Sequence, residues 1–171
     1  MLLAGTTTWA ADPGVTYEKP TRTEQVFRAD ELSFDIFGSV ALGEEIIENI
    51  STDRVRDNAR FGWGAGVNYF FSRHIGLGAE AYTENAGHSF VDDASASLLV
   101  RFPIDSIRLA PYVFGGGGYQ FDPIEQVFAH LGGGLEYRFK NNMGIFLDGR
   151  YVFTEDSRDF GLARMGFRFS F

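Results

Sequence analysis

The stretch GLARMGFRFSF, Gly161 to Phe171, alternates strictly between apolar and polar or small side chains. The alternate positions that carry apolar side chains, called the apolar parity, include Phe167 and Phe169. The positions between them, called the polar parity, include Arg168. On a helix these residues would be scattered around the axis, whereas on a β-strand they fall on two opposite faces. The stretch therefore predicts a strand with one oily and one charged face, whose two sides must meet different surroundings.

The composition excludes several classes of protein. The 171 residues include no cysteine, so neither disulfides nor cysteine-ligated metals are available. A net charge of −8 provides no basic stripe for a nucleic-acid partner. The sequence contains no apolar run of about 18 residues, so it predicts no transmembrane helix. The mean hydropathy of −0.11 fits a membrane barrel, however, because alternating apolar and polar residues average out.

The same alternation recurs from Glu31 onward in eight segments, and no position of their apolar parity is charged. Connections after the second, fourth and sixth segments are tight: 72–73, 103–106 and 141–142. The other connections are longer or more acidic: 43–59, 84–94, 122–126 and 154–159. Short periplasmic turns opposite longer external loops are typical of outer-membrane barrels. The sequence predicts an all-β, eight-stranded, antiparallel up-and-down transmembrane β-barrel.

The polar parity is rich in glycine and in charges of both signs. Glycine weakens a solvent-facing strand, but in a narrow barrel interior it leaves room for large side chains opposite. Buried charges must pair, so an inward polar face predicts a lumen charge network. Its expected members are Asp35, Glu80, Arg101, Arg108, Glu136, Arg138, Asp148, Arg150, Arg164 and Arg168. A soluble barrel or sandwich with its apolar face inward is the alternative.

Aromatic residues lie toward both ends of the apolar parity. Two girdles of this kind are favoured where a barrel meets the lipid headgroups. The girdle residues are expected to be Trp63, Tyr119, Phe121 and Phe153 near one rim, and Tyr69, Phe71, Tyr137 and Phe139 near the other. The apolar parity is therefore predicted to face lipid.

Three segments resemble a known family: LAPYVFGGGGYQF (109–121), HLGGGLEYRFKNNMGIFLDGRYVF (130–153) and GLARMGFRFSF. They are similar to the small outer-membrane barrels, which include the outer-membrane protein A transmembrane domain and the opacity-type surface proteins. The resemblance spans roughly residues 30–171. It implies an integral protein of the outer membrane of a Gram-negative-type bacterium, in contact with outer-membrane lipids and lipopolysaccharide. Alternate aromatics at Phe167, Phe169 and Phe171 resemble the C-terminal signal that engages the outer-membrane assembly machinery.

The first 29 residues lack the alternation. Residues 1–11, MLLAGTTTWAA, end in small residues but have no basic start, which predicts the remnant of a secretory signal peptide. A disordered terminus is the alternative. Residues 12–29 contain two prolines and show no period, so they are expected to be a periplasmic N-terminal tail. The barrel is expected to occupy residues 30–171.

The external loops carry an excess of acidic residues: Glu44, Glu45, Glu48, Asp53, Asp57, Glu84, Asp92, Asp93, Asp122, Glu125, Glu155, Asp156 and Asp159. Their simplest interpretation is a solvated rim. A sharper one is cation-mediated contact with lipopolysaccharide phosphates, or a charged recognition surface. With a lumen filled by side chains, the sequence predicts a monomeric structural or surface protein of the cell envelope that works through these loops.

Two other functions remain open from the sequence. A narrow porin-like channel requires that the lumen charges leave a water path. A lipid A-modifying enzyme would use His88 and Ser89, but adjacent residues on extended backbone point in opposite directions, against a hydrogen-bonded pair. The glycine runs lie within strands and lead into no helix, which argues against nucleotide binding. His130 is expected to point into the lumen without a second histidine nearby, which argues against a metal site. We predict no enzyme activity, cofactor or metal.

Overall fold

The computed structural model describes residues 25–46, 55–83, 91–121, 125–155 and 159–171, apart from the side chains of 42–46 and 55–59. The described residues form a closed barrel in which each strand is antiparallel to its neighbours, and β1 pairs with β8. The strands are β1 (Glu31–Ile46), β2 (Val55–Phe70), β3 (Ile75–Thr83), β4 (Asp93–Arg101), β5 (Leu109–Gln120), β6 (Gln126–Lys140), β7 (Met143–Thr154) and β8 (Phe160–Ser170). The predicted eight-stranded up-and-down topology is confirmed.

The two ends of the barrel differ. At one end, called the turn end, the connections 71–74, 102–108 and 141–142 join the strands, and residues 25–30 and Phe171 lie there too. At the opposite end, called the loop end, β1 ends at Ile46 and β2 begins at Val55; these two are the longest described strands. Among the described residues, no helix is long and apolar enough to cross a membrane.

The structure differs from the sequence prediction at two boundaries. The predicted loop 43–59 is shorter, because the β1–β2 ladder continues to the pair Ile46 and Val55. Alternation detects only the part of a strand that faces two different surroundings, so the polar extension was missed. Residues 25–29 were predicted to belong to a tail, but they lie in the turn-end mouth, where Phe27 is fully buried.

The apolar parity faces outward in the described strands. The exposed fractions of the large apolar side chains on this surface range from 37% for Tyr119 to 68% for Met165 and 74% for Phe171. The residues named for the girdles are exposed on the same surface: Trp63, Tyr69, Phe71, Tyr119, Phe121, Tyr137, Phe139 and Phe153. So large a continuous apolar surface cannot face water in a monomer, and the soluble alternative fails on side-chain direction.

Strand β8 closes the barrel against β1. Phe167 and Phe169 pair with β1 residues along this seam, and the backbone N–H of Phe171 donates to the Leu32 carbonyl at 2.8 Å. The side chains of Phe167 and Phe171 are 53% and 74% exposed on the outer surface. The aromatic residues at the chain end therefore line the outside of the closing seam at the turn end.

Two inward glycines show why the polar parity is rich in glycine. An ideal Cβ on Gly132 would lie 2.5 Å from the Gly149 carbonyl oxygen and 2.6 Å from Cζ of Phe114. On Gly64 it would lie 2.7 Å from Cζ of Phe37. These glycines leave the volume that the inward rings occupy, as expected for an eight-stranded interior filled by side chains.

We expect Gly132→Ala to lower the free energy of unfolding by about 1–3 kcal/mol, because the added methyl overpacks the lumen. The matched control is Gly38→Ala on the lipid-facing surface, where the nearest neighbouring atom is 3.9 Å from an ideal Cβ. Its stability should be unchanged or slightly raised. The measurement is the urea midpoint of the chain refolded into phospholipid vesicles. Equal midpoints for the two variants would contradict the packing argument.

Candidate functional site

The barrel interior holds nine of the ten residues predicted for the charge network. They are Asp35, Glu80, Arg101, Glu136, Arg138, Asp148, Arg150, Arg164 and Arg168. Each projects from the inward parity of its strand, so the alternation itself directs these charges into the lumen. The structure arranges them with one further carboxylate, Glu31, into two chains of ion pairs.

The longer ion-pair chain crosses the turn-end half of the lumen and alternates in sign. Its order is Arg101, Glu31, Arg138, Glu136, Arg168 and Asp35. Arg138 lies at its centre, with Nη2 2.6 Å from Glu31 Oε1 and Nε 2.6 Å from Glu136 Oε1. These side chains are almost completely buried. An arrangement in which every charge has an opposite neighbour offsets the several kcal/mol that burying each ion would cost.

The shorter ion-pair chain lies in the middle of the barrel. Glu80 pairs with both Arg150 and Arg164, and Arg164 Nε lies 2.7 Å from Asp148 Oδ1. The hydroxyl of Tyr112 donates to Asp148 Oδ2 at 2.6 Å. This hydrogen bond uses a further lone pair of a carboxylate that water cannot reach, which completes its solvation by protein groups.

The two chains together balance in charge. They contain five arginines, Arg101, Arg138, Arg150, Arg164 and Arg168, and five carboxylates, Glu31, Asp35, Glu80, Glu136 and Asp148. Sequence reasoning missed Glu31, although it shares the inward parity of Ser33 and Asp35. The predicted set of six arginines and four carboxylates was itself a signal, because a buried network with excess positive charge is unfavourable.

Arg108 was predicted to belong to the network, and this prediction is wrong. A short 3-10 helix at Asp105–Ile107 precedes it, and β5 begins only at Leu109. Arg108 itself has φ 56°, in the left-handed region, so it leaves the alternation of the strand. Its Nη1 donates to the Phe139 carbonyl at 3.2 Å in an exposed position at the turn end.

Aromatic rings surround the arginines of both chains. Arg101 Cζ lies 3.7 Å from the ring centroid of Phe70, and Arg164 Cζ lies 4.8 Å from that of Phe37. The Phe146 ring is 5.1 Å from Arg168 Cζ. A ring face attracts a desolvated guanidinium, so the rings fill space and stabilise the charges at the same time.

His130 has a polar neighbour that the sequence did not suggest. Its Nε2 lies 2.8 Å from Oγ of Ser97, and the imidazole packs near the rings of Phe114 and Phe128. A Ser–His contact resembles part of a nucleophilic site, but both side chains lie inside the filled lumen. No group of three or more potential metal-ligating side chains occurs among the described residues.

Apolar side chains fill the lumen from the level of the ion-pair chains, where Phe37 and Phe146 lie opposite Gly166, to the loop end. The buried cluster consists of Phe37, Ala41, Tyr82, Phe128, Phe146, Val152, Phe160 and Leu162. A lumen cavity lined by residues including Asp35, Glu80 and Tyr112 has a volume of about 20 Å³. That is room for about one water molecule, so the lumen is closely packed at the level of the ion-pair chains.

The residues proposed for lipid chemistry, His88 and Ser89, lie outside the described residues. Of the predicted acidic rim, Asp92 and Asp93 are 5% and 1% exposed, so they belong to the interior edge at the loop end. Asp92 Oδ2 accepts a hydrogen bond from Oγ1 of Thr83 at 2.8 Å. Glu125 and Glu155 are exposed, as expected for a rim.

Comparison with known proteins shows which fold this geometry represents. No family model and no curated protein sequence matches the chain. Among solved structures, the N-terminal barrel domain of Pseudomonas aeruginosa OprF matches with a TM-score of 0.63 at 17% identity, covering 84% of this chain and 99% of that one. The fold is that of the small outer-membrane β-barrels.

Two further solved structures support the same conclusion. Ail of Yersinia pestis matches with a TM-score of 0.55 at 18% identity, covering 84% of this chain and 99% of that one. Neisserial surface protein A matches with a TM-score of 0.55 at 13% identity, covering 82% and 96% of the two chains. What these matches share is the barrel, and one fold carries many activities.

We expect Glu31→Gln to destabilise the barrel by about 3–5 kcal/mol, because it leaves buried guanidinium charge without its partner. Glu125→Gln is the matched control, since that carboxylate is exposed and accepts a long hydrogen bond, 3.4 Å from the Tyr119 hydroxyl. The measurement is urea unfolding in phospholipid vesicles. If the two variants unfold at the same urea concentration, the ion-pair chain does not contribute to stability.

Proposed function

We propose that this chain is an integral outer-membrane β-barrel that acts as a structural or surface protein of the cell envelope. The observation that carries the proposal is that ion-pair chains and an apolar cluster occupy the lumen within the described part of the barrel. A barrel whose interior is occupied has its remaining accessible polar surface at its two ends. In the orientation usual for such barrels, the turn end faces the periplasm and the loop end faces outward.

A narrow channel is the less favoured function. Ions crossing the lumen would have to pass the Arg–carboxylate chains and then the apolar cluster that contains Phe128, Val152 and Phe160. Separating buried ion pairs is costly, and an apolar constriction resists wetting. Passage would therefore require a rearrangement of packed side chains rather than movement through an existing space.

The loop end is the proposed working surface. Its sequence is acidic, and divalent cations bridging carboxylates to lipopolysaccharide phosphates are the contact that this chemistry favours. Ail has been solved in complex with the heparin analogue sucrose octasulfate. A polyanion of that kind would be repelled by the acidic loops of the present chain, so we do not propose such a ligand here.

The outer surface supports the remaining partner proposals. Lipid chains would cover the exposed apolar belt that includes Leu131 and Met165. The assembly machinery would engage the outward aromatics Phe167, Phe169 and Phe171 along the β1–β8 seam. Because the barrel closes on itself and leaves no unpaired strand edge in its described core, it needs no second copy for completion. We therefore propose a monomer.

The first test is permeability. With the chain refolded into lipid vesicles, we expect leakage of potassium ions and of a small sugar to equal that of protein-free vesicles. A gel shift between unboiled and boiled samples verifies that the barrel has folded. Leakage above the protein-free control, in vesicles that contain the folded form, would overturn the closed-lumen proposal in favour of a channel.

We also propose that the chain is not an enzyme, and lipid turnover tests this separately. Mass spectrometry of lipid A from cells expressing the chain should show no change relative to cells carrying an empty vector. Cells expressing His88→Ala should give the same lipid A as the parent. A new lipid A species that depends on His88 would overturn the structural assignment and establish a lipid-modifying activity.

A further inference from the structure

The residues immediately before β1 fill the turn-end mouth of the barrel. Val26 and Phe27 are 3% and 0% exposed, whereas Gln25 and Arg28 beside them have exposed side chains. The buried pair packs with Ala110, an inward residue of β5. A segment that only led into β1 would not bury two consecutive side chains, so this one is packed into the mouth of the barrel.

Two arginines of the longer ion-pair chain hold the backbone of this segment. Arg138 Nη1 donates to the Val26 carbonyl at 3.0 Å, and Arg101 Nη2 donates to the Arg28 carbonyl at 2.7 Å. The N–H of Val26 donates to Asp105 Oδ1 at 3.3 Å. Hydrogen bonds from charged donors are the stronger class. Here the acceptors are backbone carbonyl oxygens, so these contacts do not depend on the side chains of Val26 and Arg28.

The ring of Phe27 supplies the side-chain part of the contact. Its centroid lies 4.6 Å from Arg138 Cζ and 5.4 Å from Arg101 Cζ, so both guanidiniums contact one ring. Glu31 forms ion pairs with the same two arginines. The segment and the first carboxylate of β1 therefore share the pair of cations, and neither guanidinium is left to open water.

A bend at Asp30 directs the segment back over the mouth. Asp30 has φ 53°, a left-handed conformation that few residues other than Gly, Asn and Asp adopt. Its Oδ1 accepts a hydrogen bond from the hydroxyl of Tyr69 at 3.1 Å. The N–H of Arg28 donates to Glu31 Oε2 at 3.4 Å, which ties the two sides of the bend.

We propose that residues 25–30 are a built-in stopper, and that the turn-end mouth is a binding site for this segment of the chain. The site recognises one aromatic ring and two backbone carbonyls through Arg101 and Arg138. The stopper closes the turn end as the apolar cluster closes the loop end. It separates the lumen charges from water whether or not the external loops have the role proposed above.

A single-cysteine reporter tests the stopper directly, because the chain contains no native cysteine. Ser33→Cys places a thiol inside the barrel, on the inward parity directly after Glu31, where the native side chain is 0% exposed. The rate of its reaction with a water-soluble maleimide is measured in detergent micelles, where the reagent reaches both ends. Only samples that show the folded gel band are compared.

Adding Phe27→Ala to the reporter should raise the labelling rate about tenfold or more, because removal of the ring weakens the local closure. Arg28→Ala is the matched control: its side chain is exposed in the same segment, and its carbonyl remains. That variant should label as slowly as the reporter alone. Phe27→Leu keeps an apolar side chain and should give an intermediate rate, which decides the matter if Phe27→Ala fails to fold.

Two results would overturn the proposal. One is fast labelling of the reporter with the native segment in place, which would mean that the mouth is open. The other is equally slow labelling of the folded Phe27 variants, which would mean that the mouth is closed without the stopper. Neither result bears on vesicle leakage through the apolar cluster, so failure of the stopper and failure of the closed-lumen function can be distinguished.

Discussion

The structure depends on one constraint: charges enclosed in a narrow barrel must be neutralised by one another. Five arginines and five carboxylates meet this condition in two alternating chains, with aromatic rings against the guanidiniums. Because burying an unpaired ion costs several kcal/mol, the constraint acts on each strand that contributes a charge. It also gives the polar parity a purpose that a solvent-facing strand would not require.

The same charges specify how the barrel closes. Asp35 of β1 lies directly opposite Arg168 of β8 in the ladder, and their side chains pair at 2.6 Å. A slip of β8 by one residue along this seam would turn the inward side chains of β8 toward lipid. A slip of two would restore the faces but would break this pair and bring Arg168 beside a different β1 residue. The ion pair thus selects among registers that the hydrophobic pattern alone leaves equivalent.

Sequence alternation was sufficient for the strand number, the topology and the direction of the faces, because a barrel in lipid imposes opposite chemistry on alternate residues. It failed where that contrast ends. Arg108 follows a 3-10 turn and has left-handed backbone, which parity cannot detect. Glu31 and Phe27 lie at the entry to β1, where their burial depends on Arg101 and Arg138 from distant strands. Such long-range contacts have no local sequence signal beyond the charge imbalance of the predicted set.

Glu31 connects these observations, since it is at once the first residue of β1, a member of the ion-pair chain and the partner of the segment before it. Its two arginines come from β4 and β6, across the barrel from β1. They can be satisfied together only after the sheet has closed, because β1 then lies within their reach. The contacts of Phe27 with these two arginines are therefore complete only in the closed barrel. A Phe27 variant that keeps all ten charges of the two ion-pair chains is therefore still expected to close into a barrel.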